Sequence, residues 1–204
     1  MAKILQLRST GPPKFGHKKA RRHSRPAVDS QFDMFDQPAL ARIVPLETHL
    51  HPFERALLFD ERGNMEKAAE GYREAIEQGE FVSDAYCNLG ILESLQGDID
   101  KAVECFKKSL QQDPALFESH FYLANVYFDV GDYRPAQVHY EIGASLDPGY
   151  ANLYFNLALT LAMQDEFERA VEALESYRRL SNAPDEEKTE KLLTSLRQSI
   201  GRSR

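Results

Sequence analysis

The feature that most constrains this chain is a small residue that recurs every 34 positions. Alanine stands at Ala68, Ala102, Ala136 and Ala170, which are separated by equal steps. The same step relates four further columns: Ala56, Gly90, Ala124 and Ala158; Gly63, Gly97 and Gly131; Tyr72, Phe106 and Tyr140; and Pro114 and Pro148. A fixed period of this length indicates tandem copies of one supersecondary unit.

Within one unit, the apolar residues follow the spacing of two helices. They recur at helical intervals from Ala85 to Leu95 and again from Ile99 to Leu110. Between these segments, Gly97 is suited to the left-handed conformation that ends a helix. Asp98 is a residue type that accepts a backbone hydrogen bond at the start of the next helix. The sequence therefore predicts two amphipathic helices joined by a tight turn, with small residues where the helices cross.

This pattern resembles the tetratricopeptide repeat, which combines a leucine-small pair, a mid-repeat glycine, an alanine four residues before an aromatic residue and a closing proline. The resemblance covers about residues 49–182. It implies an all-α solenoid of antiparallel helical hairpins, stacked as a right-handed superhelix with a concave face. The implied units are residues 49–82, 83–116, 117–150 and 151–184.

The end units depart from the pattern, as the terminal units of solenoids do. Pro52 and Arg55 replace the usual aromatic residue and leucine, so we expect the first helix of the first unit to start late. Asp165 replaces the turn glycine of the fourth unit, whose second helix we expect to run long. Residues 185–204 are predicted to form a capping helix, with one apolar side made of Leu192, Leu193, Leu196 and Ile200.

The resemblance implies a partner-binding groove along the first helices of the units. The predicted groove residues are Phe53, Leu57, Cys87, Ile91, Leu95, Phe121, Asn125, Phe128, Phe155 and Leu159. Peptide-binding members of the family hold a terminal carboxylate with a clamp of Lys, Arg and Asn, but the groove positions here contain no Lys or Arg. We therefore expect an apolar or aromatic partner segment with basic flanks, either an extended peptide or an amphipathic helix. The alternative is that these aromatic residues pack between neighbouring units.

The sequence contains no motif for a common enzymatic reaction. GxxxxGK[ST], GxGxxG, GxSxG and HExxH are all missing, so we expect no catalytic residues, no cofactor and no metal site. His120 and His139 are expected to approach each other as a packing contact, and Cys105 is interpreted as a reduced thiol, like Cys87. The predicted function is a non-enzymatic scaffold or adaptor that binds another protein.

Charge divides the chain into a basic extension and an acidic body. Residues 1–28 carry eight Lys or Arg and no acid, leaving 17 basic against 32 acidic side chains in residues 29–204. An alternative function is therefore a regulatory protein whose tail binds RNA or DNA while the repeats dock a protein. A solvated arm without a specific role is the competing interpretation. The candidate phosphate-binding residues are Lys14, Lys18, Lys19, Arg21, Arg22 and Arg25.

Residues 1–48 as a whole are expected to be disordered or to cap the first unit. Phe32, Met34 and Phe35 form an apolar cluster that is consistent with a cap or with a self-inhibitory segment. The chain has no apolar run typical of a signal peptide or a membrane span, so we expect a cytoplasmic protein.

Overall fold

The computed structural model describes residues 50–181 and 186–203, with side chains as far as Gly201. The predicted extension over residues 1–48 lies outside this part of the chain. No strand occurs among the described residues. Their helices are α1 (Pro52–Glu61), α2 (Met65–Glu77), α3 (Val82–Gln96), α4 (Ile99–Gln112), α5 (Phe117–Asp129), α6 (Tyr133–Leu146), α7 (Ala151–Ala162), α8 (Phe167–Leu180) and α9 (Glu186–Ser203).

Consecutive helices pair as four hairpins that stack in chain order. α1 packs on α2, α3 on α4, α5 on α6 and α7 on α8, and each hairpin contacts the next through α2 and α3, α4 and α5, or α6 and α7. The predicted all-α helical-hairpin solenoid is therefore confirmed.

The helix bounds show how closely the hairpins repeat. α1 begins late, as predicted. Its first residue is Pro52, whereas α5 and α7 begin at positions equivalent to residue 49. The expectation of a long second helix in the fourth unit is wrong. α4, α6 and α8 each have 14 residues in the same register, so Asp165 in the turn before α8 leaves the helix length unchanged.

Small side chains are required where helices cross. Ala68, Ala102, Ala136 and Ala170 are completely buried. A Cβ atom added at Gly90 would lie 2.9 Å from the Phe106 ring, so a larger residue there would collide with the partner helix of the same hairpin. The alanine and glycine columns thus set the distance between paired helices.

The same restriction applies between hairpins. A Cβ atom added at Gly143 of α6 would lie 2.7 Å from Leu153 Cδ1 of α7. Neighbouring units therefore approach as closely as the two helices of one unit, and the core is continuous along the stack.

The turns inside the hairpins use the left-handed backbone conformation. Gly97 has φ of +85° and Gly131 has φ of +86°, values that glycine adopts without steric cost. The fourth hairpin places Asp165 in the same position with φ of +61°. An L-residue is strained there, so the fourth turn is less favourable than the other turns.

Of the second helices that follow these turns, only α2 begins with the expected side-chain hydrogen bond to the backbone. The Asn64 side chain accepts a hydrogen bond from the Lys67 backbone N–H at 3.2 Å. Asp98 makes no such cap, and the prediction for this residue is wrong. Its carboxylate instead accepts from the Lys101 ammonium at 2.8 Å, because a cation one turn later competes with the backbone N–H groups.

The helix α9 covers the end of the stack. Leu193 and Leu196 are buried, while Leu192 and Ile200 are partly buried. Arg197 binds Glu175 of α8 across this contact at 2.9 Å. The last hairpin is therefore capped by a helix that turns its charged side to water, as the sequence predicts.

We predict opposite effects for two turn substitutions. Gly97→Ala should lower the free energy of unfolding by about 1–2 kcal/mol, because alanine is strained at a positive φ. An added Cβ atom would meet no neighbouring atom there, so strain is the only expected cost. Asp165→Gly should raise it by roughly 0.5 kcal/mol by removing that strain. Urea unfolding at pH 7 measures both, with Gln96→Ala as a control that leaves the turn conformation unchanged. Changes of the same sign would contradict the strain argument.

We predict that Ala136→Leu destabilises the protein by about 1–3 kcal/mol, because the added atoms overpack the crossing of α5 and α6. Val138→Leu, two residues away on the solvent side, is the matched control and should change the free energy of unfolding by less than about 0.5 kcal/mol. Urea unfolding of both variants is the measurement, and equal losses would show that the crossing is not tightly packed.

Candidate functional site

The first helices of the four hairpins form one layer of the stack. α3 contacts α5 and α5 contacts α7, in addition to their contacts within the hairpins. We call α1, α3, α5 and α7 the first-helix layer, and α2, α4, α6 and α8 the second-helix layer. The predicted groove residues all lie on the first-helix layer, so the candidate site extends over several units.

Seven of the ten predicted groove residues retain exposed surface. Leu95 is the most exposed, with 54% of its surface accessible. The other six are partly buried: Leu57, Ile91, Asn125, Phe128, Phe155 and Leu159. These residues come from all four hairpins and are available to a partner.

The remaining three residues, Phe53, Cys87 and Phe121, are buried. Phe121 is only 1% exposed, and its ring lies 5.2 Å from the Tyr150 ring and 6.2 Å from the Tyr140 ring. These contacts hold α5 against α6 and against Tyr150, the residue directly before α7. In this conformation its side chain is not accessible to a partner, as the packing alternative predicted.

Phe53 and Cys87 are buried as well. The Phe53 ring packs on Tyr72 at 5.8 Å and stacks on Phe81 at 4.9 Å. Burial raises the pKa of the Cys87 thiol to about 12, so this thiol is protonated and unreactive at neutral pH. Both cysteines, Cys87 and Cys105, are free thiols.

Asn125 is fixed by hydrogen bonds that join three helices. Its Oδ1 accepts from the Tyr140 hydroxyl at 2.6 Å and from Asn156 Nδ2 at 3.0 Å. The Asn156 side chain belongs to α7 and Tyr140 to α6, so Asn125 connects the third hairpin to the fourth. Its oxygen is therefore satisfied within the fold.

The first-helix layer is strongly acidic. Its four helices contain seven Asp or Glu and a single cation, Arg55. Arg55 forms an ion pair with Glu74 of α2. Among the acids, Glu93 is held by Arg73 of the second-helix layer at 3.3 Å. The other six acids of the layer are Glu54, Asp60, Glu61, Asp84, Glu118 and Asp129.

Two of these carboxyl groups, those of Asp84 and Asp129, are less readily ionised in the folded chain than usual. Burial raises the pKa of the Asp84 carboxyl, and the nearby Glu118 and Asp113 carboxylates raise it further. Burial also raises the pKa of the Asp129 carboxyl. A cationic group from a partner would stabilise the ionised form of both side chains, because opposite charge offsets lost hydration.

Phe81 is an exposed aromatic residue that the sequence analysis missed. It lies directly before α3, has φ of +47° and leaves nearly half of its surface accessible. The helical spacing gave no signal because Phe81 belongs to neither helix of a hairpin. Its position beside Phe53 adds an aromatic surface at the junction of the first and second hairpins.

The predicted contact of His120 with His139 is present in the third hairpin. Their Nδ1 atoms lie 2.9 Å apart, and His120 Nε2 lies 3.0 Å from the Pro114 carbonyl oxygen. A carbonyl only accepts, so His120 donates through Nε2 and its Nδ1 accepts from His139 Nδ1–H. This neutral pair connects the loop before α5 to α6. Burial lowers the pKa of His139 to about 4, and His120 and Lys107 contribute to the shift.

Other types of site are not indicated in the described part of the chain. No group of three or more His, Cys, Asp or Glu side chains is arranged to hold a metal ion among residues 50–181 and 186–201. Of the described helices, none has the length and apolar character needed to cross a bilayer.

Two family models described as tetratricopeptide repeat match the chain, one over residues 83–116 and one over residues 121–186. Together they cover most of the second and third hairpins and all of the fourth. No curated protein matches the sequence.

Solved structures show the same fold at low sequence identity. A crystal structure of MamA protein is 19% identical, with a TM-score of 0.65 over 74% of this chain and 81% of that chain. MamA 41-end from Desulfovibrio magneticus RS-1 is 20% identical, with a TM-score of 0.61 over 74% of this chain and 90% of its own. The first TPR of Spaghetti (RPAP3), bound to the HSP90 peptide SRMEEVD, is 19% identical, with a TM-score of 0.54 over 58% of this chain and 93% of that chain.

We predict that acidification between pH 7 and pH 5 reduces stability through His139. The pKa of His139 is lower in the folded chain than its ordinary value of 6.5, so the stabilisation is complete above pH 6.5 and is lost as the pH falls towards 4. The free energy of unfolding should fall by about 1–2 kcal/mol between pH 7 and pH 5 from this group. Urea unfolding at both pH values measures the loss.

His139→Gln keeps a hydrogen-bond donor but cannot take up a proton, so this variant should lack that part of the loss. His51→Gln, a substitution at an exposed histidine, should retain it. The assignment to His139 would be wrong if His139→Gln lost as much stability on acidification as the unsubstituted chain.

Proposed function

Because the chain is a tetratricopeptide repeat protein, we propose that it is a non-enzymatic scaffold whose first-helix layer binds an apolar segment of another protein with basic flanks. The single observation that carries this proposal is the combination of accessible apolar side chains with an excess of acids on one layer. The repeat fold supports a role in protein interaction, and the composition of the layer supports the chemistry of the partner.

The apolar part of the proposed site is distributed along the stack. Leu57, Ile91, Phe128 and Leu159 are partly exposed, and Leu95 is largely exposed. One such residue or more comes from every hairpin, so a partner segment must be long enough to contact several units. An extended peptide or one amphipathic helix satisfies this requirement, because both present apolar side chains at regular intervals.

The charge of the layer favours a cationic partner. Asp84 and Asp129 have carboxyl groups that burial makes less stable as anions, so Lys or Arg of a partner would form favourable ion pairs with them. The HSP90 peptide in the RPAP3 structure, SRMEEVD, contains three acidic residues. We infer that this chain selects the opposite charge, since Arg55 is the single cation of its first-helix layer and already binds Glu74.

The acidic layer also disfavours nucleic acid as the ligand of the repeats. Phosphate groups are attracted by Lys and Arg and repelled by carboxylates. The alternative function in nucleic-acid binding would have to use Lys14 to Arg25, which lie outside the described residues.

We predict that the full chain binds a synthetic peptide of alternating Leu, Phe and Lys more tightly than SRMEEVD. Leu95→Ala should weaken binding of the Leu, Phe and Lys peptide about 3- to 10-fold, because it removes accessible apolar surface. Asp129→Asn should weaken it about 2- to 5-fold at low salt and less at high salt, because it removes one charge. Fluorescence anisotropy with labelled peptides measures these affinities.

Val138→Ala is the matched control, because Val138 is equally exposed but lies on the second-helix layer. This variant should bind the peptides as the unsubstituted chain does. Equal affinity for the basic and acidic peptides, or a loss of binding in Val138→Ala alone, would contradict the proposed site.

A further inference from the structure

The helix α6 exposes an apolar stripe on the second-helix layer. Val138, Ile142 and Leu146 are 53%, 37% and 39% exposed. Residues four apart lie on the same side of a helix, so the three side chains form one stripe about 12 Å long. We call these three residues the α6 stripe. It lies on the layer opposite to the proposed partner site.

The other hairpins provide an internal reference for this stripe. A step of 34 residues carries Val138, Ile142 and Leu146 onto equivalent positions of α2, α4 and α8. Eight of these nine positions are polar, and the set consists of Glu70, Glu74, Gln78, Glu104, Lys108, Gln112, Glu172, Ser176 and Leu180. Stacking of the hairpins therefore does not require apolar residues here, and α6 alone among the second helices presents three.

Exposed side chains of opposite charge lie on the two second helices that neighbour α6. On the side of α4, Lys107 is exposed and close enough to lower the pKa of His139 of α6. On the side of α8, Glu172 is exposed, and α8 adjoins α6 through the ion pair of Arg169 with Glu141 at 2.6 Å. Within residues 50–181 and 186–201, neither Lys107 nor Glu172 has an ion-pair partner.

We propose that the α6 stripe is the contact between two copies of this chain. A two-fold axis parallel to the stripe would place α6 against α6 and would set Lys107 of each copy opposite Glu172 of the other. The surface is then self-complementary, as an interface between identical subunits has to be. Its apolar centre and charged edges match the usual arrangement of a protein interface.

The first experiment measures the oligomeric state of the full chain. Sedimentation equilibrium at protein concentrations up to about 100 µM should show a dimer, since a Kd of about 10 µM gives a mostly dimeric sample there. Ile142→Glu should raise the Kd at least about 10-fold, because it places charge at the centre of the contact. Val138→Ser, a milder change, should raise it in the same direction. Circular dichroism verifies that both variants are folded.

Leu95→Glu is the matched control for the dimer. It introduces the same charge at the most exposed apolar residue of the first-helix layer, and it should leave the dimer Kd unchanged. A monomeric unsubstituted chain at about 100 µM, or a dimer that survives Ile142→Glu, would overturn the proposal. If the chain is monomeric, the α6 stripe would instead have to bind a different protein.

The second experiment tests the pairing of charges. Lys107→Glu and Glu172→Lys should each weaken the dimer about 3- to 10-fold by placing like charges together. The double variant restores opposite charges across the axis and should recover the original Kd. Recovery supports the stated two-fold arrangement, whereas an additive loss overturns it. These results are independent of peptide binding, so either proposal can fail without the other.

Discussion

Close contact between helices at a column of alanines is the constraint on which the rest of the structure depends. Ala68, Ala102, Ala136 and Ala170 are completely buried, and glycines such as Gly90 and Gly143 leave no space for a Cβ atom. Each hairpin therefore has nearly the same geometry and fits against the next one. The result is a stack of hairpins with two layers of helices.

The two layers use this arrangement differently. The first-helix layer concentrates acids, and its only cation, Arg55, is neutralised by α2. The second-helix layer mixes both signs, as in the contact of Arg169 with Glu141. Since surface ion pairs contribute little to stability, this separation of charge is not needed for the fold. Under the proposed function it serves recognition, because the sign of a surface selects the partner and raises the association rate.

Local and periodic features of this fold are predictable from the sequence, whereas features that depend on three-dimensional contacts are not. The hairpins, their turns and the capping helix follow from residue spacing. Phe121 and Phe128 show the limit, because they lie seven residues apart on the same side of α5. Phe121 is buried against Tyr150, the residue directly before α7, while Phe128 keeps exposed surface. Asp98 similarly binds Lys101 rather than the backbone, a competition between two partners that spacing does not decide.

A repeated structure also helps to separate functional residues from structural ones, because each unit is a control for the others. Asp165 departs from the glycine column, but it adopts the same left-handed turn, so this change concerns stability alone. The α6 stripe departs from columns that are otherwise polar, and it changes what the surface can contact while leaving the helix in register with α4 and α8. A departure that alters a surface without altering the backbone has no structural cause within the unit. Such a departure favours a contact outside the hairpin, and the opposite charges of Lys107 and Glu172 are the reason for proposing a second copy of the chain as that contact.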